Sequence, residues 1–330
     1  MLRRVERNTE LQSELAFSAI PALHEHYAEK CERLFELAAR PLQGQERNHF
    51  RSLLAQALQQ GFEASAHAKV VVRCKSEPPP NTNLSYEIGV RTTDLTDVYT
   101  SWLRASAPPY FGAHPDAKVM ALARESAPGT RVLDIGAGTG RNALPLARLG
   151  LAVDAVELTP GFATALRDAA SETGLALNAI EGDAFDPALP IPGASYGLIV
   201  ASEVISSHVR DADDLREFLH FACAKLVPGG LLVCNAFLAR AEYEPDALAR
   251  QLSPTVLSAL FTLADLQRAC AGLPLLAVSD ESCLAYEREN LPGDAWPPTS
   301  WFEAWANGGN LFDAQRVAPC QLRWLVFRKT

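Results

Sequence analysis

The feature of this 330-residue chain that most restricts its fold is a change of rhythm at Arg131. From there, short aliphatic runs alternate with helical stretches. Strands are predicted at Arg131–Ile135, Ala152–Leu158, Leu177–Glu181, Tyr196–Ser202, Gly230–Phe237, Leu275–Ser279 and Leu322–Arg328. Helices are predicted between most of them, at Arg141–Leu149, Pro160–Thr173, Asp211–Leu226 and Pro254–Ala271. Aliphatic strands joined through helices imply a mostly parallel sheet covered on both faces, an α/β architecture. The helix-free stretch Asp280–Pro319 is about 40 residues, too long for a structureless loop in a compact domain. It is expected to hold short helices and to build a functional surface.

The first 75 residues read instead as helices. Leu23, Tyr27, Leu34 and Ala38 recur at helical spacing behind Pro21, and Phe50, Leu53, Leu54, Ala57, Leu58 and Phe62 form a second stripe. The run Ser76–Asn81, with its consecutive prolines, ends that region. Asp94–Ala107 reads as one more helix, closed by Pro108 and Pro109. The expected layout is a helical N-terminal domain over residues 1–80, a linking and capping segment over 81–128, and the α/β domain over 129–330 with a substrate-pocket insertion at 280–319.

Composition excludes several classes. A hydrophobic content of 48% is that of a globular chain, not a disordered one. The net charge of -9 lies wholly after residue 128, where 15 Lys+Arg face 24 Asp+Glu; before it the count is 15 and 15. An acidic protein is poorly suited to duplex nucleic acid, which demands basic surface. The polar start Met1–Glu10 does not resemble a signal peptide, and apolar runs such as Leu231–Leu238 fall far short of the ~20 residues of a spanning helix. Seven widely spaced cysteines without a C-x-x-C pair fit a reduced, cytoplasmic protein. His24 and His26, near Cys31, sit at i and i+2 and point apart on a helix, so no metal site is expected.

The sharpest motif is Val132-Leu133-Asp134-Ile135-Gly136-Ala137-Gly138-Thr139-Gly140-Arg141-Asn142. An apolar strand runs directly into alternate glycines, where the backbone can turn tightly and approach a ligand closely. The next strand ends in Glu157, a carboxylate able to accept from both hydroxyls of a ribose and to repel a 2′-phosphate. The strand after that ends in Glu181-Gly182-Asp183-Ala184-Phe185, where an acid can accept from an adenine amino group. Together these describe a site for an adenosine. A dinucleotide-binding oxidoreductase would need G-x-G-x-x-G/A, and Arg141 occupies the third small position. Glycines that merely close a turn would leave Glu157 and Asp183 without a purpose.

On these residues the chain resembles the class I S-adenosylmethionine-dependent methyltransferases, well over 131–238 and loosely over 254–330. The resemblance implies a Rossmann-like seven-stranded, mostly parallel sheet with an antiparallel last strand, here Gln321–Lys329. It implies S-adenosyl-L-methionine as cofactor and S-adenosyl-L-homocysteine as product. The implied cofactor residues are Asp134, Gly136, Ala137, Gly138, Gly140, Glu157, Leu158, Asp183, Ala184 and Phe185, with Ser202 and Glu203 at the methionine end. The segment Gly140–Ala147 is also similar to tellurite-resistance-type methyltransferases. The N/D-P-P-Y motif of amino-methyltransferases is absent, Glu203-Val204-Ile205-Ser206 standing in its place, so a small-molecule acceptor is expected. A SAM-fold protein that binds without catalysing, as a scaffold or sensor, is the different-class alternative.

Candidates for the chemistry are fewer. His208 lies just beyond the fourth strand of the α/β domain, where an imidazole can accept a proton from the acceptor. Alternatively it is a loop histidine before a helix capped by Asp211. Tyr86, Arg91, Tyr99 and Trp102 precede the α/β core, where relatives cover the cofactor with a helix; Arg91 is a candidate partner for its carboxylate, and the equal alternative is that these residues only hold the two parts of the chain together. Trp301 and Trp305, one helical turn apart, with Asn307 and Asn310, are expected to wall the acceptor pocket, the alternative being that this aromatic face packs the segment on the sheet, as Trp324 is expected to do.

Overall fold

The computed structural model describes residues 10–77, 83–313 and 317–330, in two compact units divided between Val98 and Tyr99. The proline tract Pro78–Pro80 and the start Met1–Thr9 lie outside the described residues.

The first unit is not purely helical. Strands β1 (Leu11–Ser18), β2 (Lys69–Ser76) and β3 (Leu84–Arg91) form an antiparallel sheet in the order β1-β2-β3, with helices α1 (His24–Leu37) and α2 (Gly44–Ala64) between the first two. Strand periodicity explains the difference from the helical expectation. Leu15 pairs with Val72 and Phe17 with Val70, while Ile88 and Val90 flank them from β3, so every second residue faces α1 and α2. Phe35, Phe50 and Leu54 on the helices complete that core. The boundary expected after residue 80 falls inside this sheet, between β2 and β3.

The second unit contains the expected α/β domain. Helix α3 (Leu95–Ala105) runs across the division and is followed by α4 (Ala117–Arg124). The sheet then comprises β4 (Arg131–Ile135), β5 (Ala152–Glu157), β6 (Asn178–Glu181), β7 (Tyr196–Ala201), β8 (Leu226–Ala239), β10 (Leu275–Ser282) and β11 (Cys320–Lys329). Their order is β10-β11-β8-β7-β4-β5-β6, with the two-residue β9 (Leu260–Phe261) beside β8. All neighbours from β6 to β8 are parallel, and β11 is antiparallel to both β8 and β10. The chain leaves β4 toward β5 and β6, then returns to β4's other side as β7. That reversal opens a crevice beyond the carboxyl ends of β4 and β7, the usual ligand position in open α/β sheets.

Helices α5 (Ala143–Arg148), α6 (Pro160–Thr173), α7 (Ile205–His208), α8 (Ala212–Lys225), α9 (Ala247–Thr255), α10 (Leu263–Cys270), α11 (Cys283–Asn290) and α12 (Phe302–Ala306) complete the unit. Successive β4 side chains divide between two cores. Leu133 joins Leu219, Phe218 and Leu266 from α8 and α10; Val132 joins Val119, Leu146, Leu166 and Trp324 on the opposite face. The expected single helix over 254–271 is broken. Leu260 and Phe261 pair with Phe237 and Leu238, and Thr262 then starts α10 through a reciprocal capping box with Asp265. The long insertion does contain short helices, α11 and α12. Among the described residues, no helix is long and apolar enough to cross a membrane.

Candidate functional site

β4 delivers Asp134 to the carboxyl edge and passes into Gly136, Gly138 and Gly140, with φ of +68°, +56° and +93°. Side chains rarely adopt this left-handed region. Space forbids them as well: a Cβ on Gly138 would lie 3.0 Å from Cε2 of Phe111, and one on Gly136 would lie 2.8 Å from Cγ2 of Val204. The loop N–H of Gly138 donates to Oε2 of Glu157 at 2.8 Å, and Thr159 N–H donates to Oε1 at 2.7 Å. The acid at the end of β5 is thus clamped against the glycine loop. Burial raises its carboxyl, opposed by those backbone donors. Ala137 is buried beside it, and Leu158 is half-buried.

Asp134 is almost wholly enclosed, 2% exposed, and its Oδ2 has no hydrogen-bond partner among the described residues. Burial pushes this carboxyl up to about 8, with Asp116 adding to the effect and Arg141 opposing it. A buried polar atom without a partner is unusual and suits a donor brought by a ligand.

Arg141, the residue that spoils the dinucleotide fingerprint, has a second role the sequence did not disclose. Its guanidinium is buried between Asp116 Oδ1 at 2.5 Å and Glu203 Oε1 at 2.8 Å. Asn142 donates to the other oxygen of Asp116 at 2.8 Å, and Asp116 N–H donates back to Asn142 at 2.9 Å. Glu203 has φ +63°, a strained value for a non-glycine residue, and its N–H donates to Asn235 Oδ1 at 2.7 Å. Ser202 Oγ lies 3.5 Å from the same guanidinium. Glu287 on α11 accepts from the N–H groups of Ala117 and Lys118 at the start of α4, and from Trp324 Nε1. Asp116, Asn142, Asn235 and Glu287 come from far apart in the chain, and no local spacing connects them.

Other expected residues separate clearly. Tyr99 and Trp102 on α3 do reach the loop region: with Tyr110, Phe111 and Phe162 they form an aromatic layer, Trp102 lying 5.1 Å from Phe111 and Phe111 5.1 Å from Phe162. Burial pushes the Tyr99 phenol up to about 12, and its ring stacks on His208 at 6.5 Å. His208 ends α7, its Nδ1 2.8 Å from Ser207 Oγ and 3.2 Å from the Val204 carbonyl. Asp183 follows β6, exposed, and accepts from Phe185 N–H at 2.9 Å; Ala184 is buried and Phe185 is 39% exposed.

Arg91 and Tyr86 are corrected. Both lie on β3, not on a covering helix: Tyr86 packs edge-on to Phe50, and the Arg91 guanidinium is 4.0 Å from Glu14. Trp305 is corrected too. Its Nε1 donates to the Leu257 carbonyl at 3.0 Å and its ring meets Phe237 edge-on, so it belongs to the core, as Trp324 does. Trp301, 38% exposed, packs on Trp305. Asn310 donates to the Val256 carbonyl. Asn307 lines a cavity of about 590 Å³ with Arg240, Arg288 and Phe312, beside the carboxyl end of β8.

This geometry can be set against known proteins. The sequence model of a family described as a methyltransferase domain matches residues 132–230. The chain carries a class I S-adenosylmethionine-dependent methyltransferase domain. The domain is 36% identical over 108 residues to a ubiquinone biosynthesis O-methyltransferase of Cereibacter sphaeroides, covering 32% of this chain and 41% of that protein. It is 32% identical over 151 residues to one of Xanthomonas campestris, covering 45% and 59%. The chain therefore spans about half the length of these curated relatives. In fold, the domain resembles a geranyl diphosphate C-methyltransferase from Streptomyces coelicolor, with TM-score 0.52 at 14% identity over 72% of this chain and 99% of that one. Another geranyl diphosphate methyltransferase, solved with sinefungin, gives 0.51 at 15% over 65% and 77%.

Proposed function

We propose that this protein transfers a methyl group from S-adenosylmethionine to a small-molecule acceptor. One observation carries the reading: a left-handed glycine loop closed on the Glu157 carboxylate, above a buried Asp134 oxygen with no partner among the described residues. A phosphate would be repelled by these acids, whereas a cationic nucleoside fits them. Glu157 retains lone pairs for ribose hydroxyls, since a carboxylate offers about four acceptor sites and two are taken by backbone N–H groups. Gly136, Gly138 and Gly140 would let the backbone approach the ligand, Asp183 would take the adenine amino group, and Ser202 with Glu203 would border the methionine end. Tyr99, Trp102 and Phe111 would exclude water from above the loop.

The cofactor, when bound, supplies an electrophilic methyl on a sulfonium. What this chain supplies is position, since aligned reactants account for much of such a barrier. The named relatives are O-methyltransferases, and a hydroxyl acceptor must lose a proton. His208, held by Ser207 and Val204 at the carboxyl edge, is the group proposed to take it. Asn307 and the cavity it lines are the proposed acceptor side. Calorimetry with S-adenosylmethionine tests the reading. Glu157→Ala should weaken binding by about 1.5–3 kcal/mol, the worth of a hydrogen bond to a charged group. Unchanged affinity would contradict the ribose role.

A further inference from the structure

The β1-β2-β3 sheet of the first unit has two edges, and β3 is the one left open to a neighbour. Among the described residues β3 pairs with β2 alone. Leu84–Arg91 keeps an unbroken register with Lys69–Ser76 and contains no proline, no lysine and no bulge, the devices that usually blunt an edge. The phase of the ladder follows from its ends. Ala19 N–H donates to the Ala68 carbonyl at 3.0 Å just beyond β1, and Glu77 N–H donates to the Asn83 carbonyl at 3.1 Å just beyond β2. Hydrogen-bonded pairs recur at every second residue of an antiparallel ladder. Ser85, Glu87, Gly89 and Arg91 therefore bond to β2. The N–H and C=O groups of Tyr86, Ile88 and Val90 point the other way, without a backbone partner among the described residues.

Gly89, in the middle of this edge, has no purpose within one chain. Its φ lies outside the left-handed region, and a Cβ placed on it would meet nothing within 4 Å. Glycine inside a strand weakens it and often marks a place where another backbone comes close. The charges on either side of Gly89 are also poorly matched. Arg91 lies directly opposite Lys69, a like charge, and reaches Glu14 only at 4.0 Å. Glu87 is 74% exposed and reaches Arg73 only at 3.9 Å.

We propose that β3 pairs antiparallel with β3 of a second copy of this chain, about a two-fold axis at Gly89, so that two three-stranded sheets become one. In this register Ile88 lies opposite the partner's Val90, and each such pair exchanges two hydrogen bonds through groups that a single chain leaves unpaired. Gly89 meets its own copy at the axis, in a closely spaced pair with Cα atoms about 4.5 Å apart. Glu87 lies opposite the partner's Arg91, and two-fold symmetry makes that contact twice. Ile88 and Val90, half-buried at the rim of the first unit's core, gain cover. Other pairings match less well. A register centred on Glu87 sets like charges together, and one centred on Ile88 puts Glu87 opposite glycine and Arg91 opposite Ser85. On the other edge, β1 carries Glu14 as its one charge, so two copies of it bring no opposite charges together.

Sedimentation velocity of the full chain, from about 1 to about 100 µM, tests this. The wild type should pass from the 35.8 kDa monomer to a dimer over that range. Glu87→Arg sets like charges opposite each other at two places and should raise the dissociation constant at least about tenfold. Arg91→Glu should do the same, so the test does not hang on the folding of one variant. The two substitutions together restore opposite charges and should return the constant to within about threefold of wild type. Ile88→Pro removes an N–H that points away from β2, so it should spare the ladder within one chain and abolish the dimer. A wild type that stays monomeric throughout would overturn the proposal and leave the edge to a strand of another protein. A dimer that neither charge reversal weakens would overturn it by placing the contact elsewhere. So would a double variant that melts like wild type by circular dichroism yet stays monomeric.

Discussion

Replacing Asp134 with Asn should make the protein more stable at neutral pH, an unusual outcome for a buried residue at a ligand site. The carboxyl is pushed from 3.8 up to about 8 by burial, Asp116 and Glu157. Between those values the folded protein keeps a proton that the unfolded chain releases. Stability from this group is therefore full below about pH 4 and is lost as pH rises through 8. Each unit costs about 1.4 kcal/mol, so on the order of 4 kcal/mol disappears between pH 4 and pH 7. Asparagine does not titrate and escapes this loss. Urea unfolding of both proteins at pH 5, 6, 7 and 8, followed by tryptophan fluorescence, measures it. All the tryptophans (Trp102, Trp296, Trp301, Trp305 and Trp324) lie in the unit that contains Asp134, so the signal reports the right transition. The advantage of asparagine should grow by about 1.4 kcal/mol per unit from pH 5 to pH 7 and level off near 8. A difference that stays constant across that range would refute the reasoning.

Gly138→Ala places a Cβ at φ +56° and 3.0 Å from Phe111, so it should cost about 1–3 kcal/mol in unfolding free energy and weaken S-adenosylmethionine binding at least tenfold by calorimetry. Trp305→Ala should destabilise by about 3–5 kcal/mol in urea, as for other buried large aromatics, while nucleoside affinity per folded molecule is retained. A variant that unfolds normally but loses an acceptor would return Trp305 to the pocket wall.

The α/β unit was legible because its signals are local. Runs such as Val132–Ile135 and Val153–Val156 are buried on both faces, and a helix of fitting length follows each. The glycine loop and Glu157 were legible for the same reason: each sits at a strand end that the pattern locates. The first unit was misread where pairing is distant. Leu11 and Leu15 stand four apart, a spacing equally good for a helix, and only β2, more than fifty residues later, makes them strand residues. Trp305 was misassigned because an aromatic at helical spacing looks the same whether its face meets a ligand or Phe237.

The sequence by itself determined that a parallel sheet would form after Arg131, where its glycine loop would lie, and that Glu157 would end the neighbouring strand. Those properties follow from backbone freedom and side-chain periodicity over a few residues. Tertiary structure alone decided the charge state of the site. Arg141, Asp116, Glu203 and Glu287 are separated by up to 171 positions, and their mutual effect depends on distance and burial, which folding creates. The acidic excess of residues 129–330 was visible from the start, but which of those acids would meet a cation, and which would be left facing a ligand, could be read only once they were enclosed together.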